Sequence, residues 1–251
     1  MADRQWMWTL AILLPVTWIN AGWAAPPPST LDRARAAYEN RADIEKAKRA
    51  VSLFAQAAEE RPQSYAAHWE AARAIYYLWT FPQGDGPKKE MRAVFQRGID
   101  LCRRAVELKP DGVEGHFWLG VLYGRYGEAK GILKSLKLVP VIRKEMETCM
   151  ELDESVECYG PCRVLGRMFY KLPGFKGGDN RKSMEILVKG IDGCPTNALA
   201  RLYLAETYED EGYDDLARQQ IIEIRALKDE PRWAAEYPYI LRDAEALMRK
   251  L

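Results

Sequence analysis

Strand-like alternation is scarce in this 251-residue sequence, which argues against a sheet-based core. Charge of one sign is lacking too: 37 Lys and Arg face 36 Asp and Glu, for a formal net charge of +1. No basic excess points to nucleic acid, and no acidic excess points to a solvating tail. Histidine is nearly absent, with only His68 and His116. There is no G-x-S-x-G elbow, no P-loop and no H-E-x-x-H pair. Glu209, Asp210 and Glu211 form a solvated acidic run rather than a catalytic pair. The chain therefore reads as non-catalytic, with no cofactor and no nucleic-acid partner.

What is present is helical periodicity. Hydrophobic residues make up 48%, enough for a real core, and Pro and Gly fall mainly between apolar-periodic segments. The stretch from Gly160 to Pro195 holds two amphipathic helices around a glycine-rich loop. The first starts at Gly160-Pro161, where proline's missing N–H is harmless, and carries Leu165, Met168 and Phe169 on one face. The second is capped by Asp179, carries Met184, Leu187 and Ile191, and closes at Cys194-Pro195. One such hairpin cannot bury both apolar faces, so it needs neighbours of its own kind.

Four segments supply them, aligned on a small residue: Ala72, Gly120, Gly166 and Ala205, with intervals of 48, 46 and 39 residues. The period of a pure tetratricopeptide repeat is 34, and the excess sits in loops such as 81–87 and 175–179. The fold class expected is all-α, a tetratricopeptide-like array of helical hairpins (an α-solenoid) with irregular repeats. A terminal helix over 232–251 is expected to cap the open end.

The N-terminal 24 residues read as a signal peptide. Trp6 to Ala25 is mainly apolar, small residues Gly22 and Ala24 precede a cleavage point, and Pro26 to Pro28 follow. The expected organisation is 1–24 signal peptide, 25–30 proline-rich linker and 31–251 helical-repeat domain. The expected location is periplasmic or secreted, and an uncleaved N-terminal anchor is the alternative. Membrane contact arises only in that second case.

From Leu165 the chain runs LGRMFYKLPGFKGGDNRKSMEILVKGIDGCPTNALARLYLAETYEDEGYDDLA. This tract resembles the C-terminal half of the T-component family, the tetratricopeptide proteins associated with TRAP transporters. The likeness is carried by Leu165-Gly166-Arg167, by Leu172-Pro173 with Gly177-Gly178-Asp179, and by Tyr203-Leu204-Ala205-Glu206. It implies an exported helical-repeat protein that partners a periplasmic substrate-binding protein, and some members form ring-like homo-oligomers. The chain lacks the lipobox cysteine of many members, which implies a soluble or peptide-anchored form. A weaker likeness is to eukaryotic microtubule-associated repeat proteins of similar architecture.

In such arrays the first helix of each pair lines the concave face. Positions three before, one after and five after the aligned small residue are expected to point inward. They are Trp69, Arg73 and Tyr77 in the first unit, and Phe117, Val121 and Arg125 in the second. The third unit gives Arg163, Arg167 and Lys171, and the fourth gives Leu202, Glu206 and Asp210. The groove would run from aromatic through basic to acidic, suiting an extended peptide, a partner's acidic loop or a small carboxylate. Inter-helix packing is the competing reading of these positions. A lipid or small molecule in the same groove, or in an oligomeric channel, is the alternative function.

His68 and His116 occupy equivalent places in successive units, roughly 10 Å apart by helix packing, too far to share a metal ion. Five cysteines permit disulfides in an exported chain but leave at least one thiol over. Cys149 with Cys158 or Cys162 is the candidate staple before the third unit, while Cys102 and Cys194 read as buried packing residues.

Overall fold

The computed structural model describes residues 27–251 except Asp85, so the expected signal segment lies outside the described residues. Among the described residues there are eleven α-helices and no strand. They are α1 (Thr30–Glu39), α2 (Ile44–Glu60), α3 (Tyr65–Thr80), α4 (Lys88–Leu108), α5 (Val113–Lys130) and α6 (Val139–Asp153). They continue as α7 (Val156–Lys171), α8 (Asn180–Gly193), α9 (Ala198–Asp210), α10 (Asp214–Ala226) and α11 (Tyr237–Met248).

Many helix starts are written locally. Ser29 and Asp32 form a reciprocal capping box at α1. Asp43, Ser64, Asp179 and Asn197 each accept from a free N–H in the first turn of α2, α3, α8 and α9. The helices then pair in sequence order, and α3, α5, α7 and α9 also touch one another along the array. That contact defines an inner layer. Helices α3 and α5 are buried around most of their circumference, as an inner helix must be. Helices α4 and α8 bury one stripe only, with Phe95 and Ile99 on one and Leu187 and Ile191 on the other.

The aligned small residues sit where paired helices come closest. A Cβ on Gly120 would lie 2.4 Å from Met146 Cε on α6, and one on Gly166 would lie 2.5 Å from Leu187 Cγ on α8. We expect Gly166→Ala to cost about 1–3 kcal/mol through overpacking. Urea unfolding checks this, with Gly124→Ala as the control, because nothing lies within 4 Å of that position.

Three features depart from the sequence expectation. A 3-10 helix, Ile132–Leu138, joins α5 to α6 without a periodic signal. The terminal helix is shorter than expected: a 3-10 turn, Pro231–Trp233, precedes α11, whose first turn holds Pro238. Finally, Glu157, Cys158 and Tyr159 have φ of 49°, 62° and 55°, a left-handed stretch of three non-glycine residues. Right-handed helix resumes at Gly160-Pro161, the start the sequence indicated.

Cys158 is bonded to Cys194, with a Cα–Cα distance of 5.5 Å. This corrects two expectations. Cys149 and Cys162 are free, buried thiols, and Cys194 is a crosslink rather than a packing residue. The pairing becomes possible because the left-handed turn carries Cys158 across to the end of α8.

The array also closes on itself. Arg41, between α1 and α2, donates from Nε and Nη2 to the two carboxylate oxygens of Glu236 at 3.0 and 3.1 Å. Tyr77 Oη donates to the carbonyl of Ala235 at 3.3 Å, and the Phe81 and Tyr239 rings lie 5.9 Å apart. The segment before α11 therefore folds back against the first two hairpins.

Candidate functional site

Two cavities open on the inner side of the helices. The first lies among α5, the 3-10 helix after it, α6, α7 and α9. The second lies between the first hairpins, α7 and the segment before α11. Arg163 and Tyr76 belong to the lining of both, so the two cavities adjoin along these residues, and the pair is called the trough below.

Six of the nine groove residues expected from sequence line this trough. Arg125, Arg163, Arg167 and Lys171 reach the first cavity, and Trp69, Arg73 and again Arg163 reach the second. Glu206 sits behind the wall, ion-paired to Arg167. Two expectations need correction. Tyr77 is 2% exposed, wedged between Tyr38 and Phe81 by the returning C-terminal segment. Phe117 is fully buried, its ring 5.0 Å from that of Trp118. Val121 lines the first cavity, Leu202 is in the core, and Asp210 accepts from Asn180 Nδ2 at the surface.

The two halves of the trough differ. The first is walled by aliphatic side chains including Leu138, Val139, Ile142 and Met168. The second is walled by rings: Tyr38, Trp69, Phe81, Trp118 and Trp233. Sequence offsets missed most of that aromatic wall, because Tyr38 and Trp233 come from opposite ends of the chain. The guanidinium of Arg73 lies 4.4 Å from the Tyr38 ring and 4.9 Å from the Trp69 ring, and that of Arg41 lies 4.6 Å from the Tyr38 ring. Burial pushes the Tyr38 hydroxyl up to about 12, so it stays a neutral donor.

Most charges here are paired. Arg125 meets Glu128, Arg167 meets Glu206 and Arg41 meets Glu236. Arg163 is different: it is 5% exposed, stacks 5.9 Å from the Phe117 ring, and makes no hydrogen bond or ion pair among the described residues. Lys171 has no counter-ion there either, and burial, then the nearby Arg167, draws its ammonium below the usual lysine range. Arg73 Nε, Trp118 Nε1 and Trp233 Nε1 are buried donors without acceptors. The trough is short of negative charge, and chemically it can hold an anion.

The histidines take no part. His116 uses Nδ1 on Glu145 and Nε2 on the Pro110 carbonyl, and His68 Nδ1 contacts the Ser64 carbonyl. No cluster of three or more His, Cys, Asp or Glu able to hold a metal occurs among the described residues.

A family model described as regulator of microtubule dynamics protein 1-3 matches residues 27–172, more than half of the chain. No curated protein sequence matches. Among solved structures, the chain is similar to TTC0263, a thermophilic TPR (tetratricopeptide) protein of Thermus thermophilus. The TM-score is 0.62 at 17% identity, covering 88% of this chain and 100% of that one. It is also similar to YrrB, described as a TPR protein with an unusual peptide-binding site, with a TM-score of 0.44 at 15% identity, covering 89% and 100%. The matched architecture is the tetratricopeptide-like array expected from the sequence.

Proposed function

Since this chain belongs to the regulator of microtubule dynamics protein 1-3 family, we propose that it is a non-catalytic scaffold that holds a partner protein in its concave trough. The observation that carries this is Arg163, 5% exposed and without a counter-ion, in the lining common to both cavities. A guanidinium that faces a cavity unpaired has an anionic partner group as its natural complement. The family's name makes the microtubule system the first place to look for the partner.

A finer form of the proposal is a transporter's substrate-binding protein, met in the periplasm after export through residues 1–24. It rests on the T-component likeness of the tract from Leu165, which overlaps the family match only slightly. The Cys158–Cys194 crosslink suits such an oxidising compartment. A second reading is a lipid or other amphiphile in the trough. It is favoured by one feature, the aliphatic lining of the first cavity beneath cationic side chains.

Affinity capture from the source extract tests the proposal. A single partner retained by Arg181→Ala, on an exposed face, and lost with Arg73→Ala plus Arg163→Ala supports it. Equal capture by both variants sinks it. Co-purified lipid without any protein, seen in native mass spectrometry, favours the second reading.

A further inference from the structure

Resting on the scaffold reading, we infer that the trough recognises an extended peptide with one acidic side chain at its centre. Aliphatic residues stand on one side of that acid and aromatic or proline residues on the other.

The position of Arg163 sets the order. Its guanidinium belongs to the wall common to both cavities, so a ligand that fills both passes it at mid-length. A fatty acid or a chain-terminal carboxylate carries its charge at one end and fills only one side. A mid-chain glutamate or aspartate places its two oxygens against the guanidinium while chain extends both ways. The aliphatic wall of Val139, Ile142 and Met168 then receives one flank, and the rings of Trp69, Trp118 and Trp233 receive the other.

The charges around the second cavity allow one added anion: Arg41, Arg73, Arg163 and Arg232 face Glu114, Glu157 and Glu236. Glu236 is engaged by Arg41, and Glu114 accepts from Tyr65 Oη at 2.9 Å. Glu157 makes no ion pair among the described residues and sits on the left-handed turn, which disfavours a second acid in the aromatic flank.

The test uses fluorescein-labelled synthetic peptides and the full chain. The probe is Gly-Leu-Leu-Glu-Pro-Trp-Gly, compared with its glutamine analogue by fluorescence anisotropy. We expect the glutamate peptide to bind roughly tenfold or more tightly than the glutamine one, the size of a lost charge-assisted pair. Arg163→Met should abolish that difference and Arg163→Lys should retain part of it. Arg163→Met should also leave the melting temperature of the free protein no lower than the parent's, because the guanidinium makes no ion pair or hydrogen bond among the described residues. A purely structural arginine would lower it. Equal binding of both peptides, an unchanged preference in Arg163→Met, or a lowered melting temperature overturns the inference. Palmitate binding without peptide binding overturns it in favour of the amphiphile. Loss of peptide binding while a whole partner is still captured through the trough defeats this inference and leaves the scaffold reading standing.

Discussion

Arg41→Ala should destabilise the protein by about 3–5 kcal/mol, the cost of stranding one member of a buried ion pair. Glu236 is 8% exposed, and burial already holds its carboxyl above the usual carboxylate range despite the neighbouring guanidinium. Without Arg41 it must lie uncompensated in a low-dielectric wall or take up a proton. The pair also joins residues 195 positions apart, and around it lie the Tyr77–Ala235 hydrogen bond and the Phe81–Tyr239 contact. Its loss therefore weakens closure of the whole array, not one hairpin. Arg41→Met with Glu236→Leu should recover most of the stability, because both charges leave together. Urea unfolding of the single and double variants measures this. A single variant within about 1 kcal/mol of the parent would show that the returning segment is not held by this pair.

That closure marks how far the sequence is legible. Everything set by local chemistry can be read from it. Ser64 and Asp179 announce helix starts, and Gly120 and Gly166 mark close approach of paired helices. The stripe of α8 shows which face is buried. The basic part of the trough is legible for the same reason: fixed offsets from the small residue place Arg125, Arg167 and Lys171 on the inner face of their helices. The same offsets fail at Tyr77, because the segment that buries it arrives from residue 235. They fail at Phe117 because the left-handed turn at the start of α7 sets Gly160 onto its ring. Neither event has a local signature. Propensity scales describe a residue in its own helix, and both burials come from backbone far away in sequence.

Cys194→Ser should cost about 4 kcal/mol, and Cys162→Ser much less. The crosslink closes a 36-residue loop, and the entropy it removes from the unfolded chain accounts for about that much. It also holds an unfavourable backbone. Left-handed geometry costs roughly 1–2 kcal/mol for each residue with a side chain, and Glu157, Cys158 and Tyr159 adopt it in succession. Besides the disulfide, Asn197 Nδ2 donates to the Cys158 carbonyl at 2.6 Å, and Asn197 is fully buried. Once the sulfur bridge is gone, that amide and the Cys158 and Tyr159 N–H groups, which donate to the Ser155 carbonyl at 3.1 and 3.2 Å, are left to keep the turn inverted. Reversion of 157–159 to a right-handed helix would relieve the backbone, so the measured loss should fall somewhat below the loop-closure figure. It would also shift Glu157 and Val156, which line the aromatic cavity, so the variant should change peptide affinity as well as stability. Thermal unfolding with and without reductant gives the stability, and anisotropy with the glutamate peptide gives the coupling. A Cys194→Ser variant as stable as the parent, or peptide mapping that pairs Cys158 with Cys162, would refute this account of the turn.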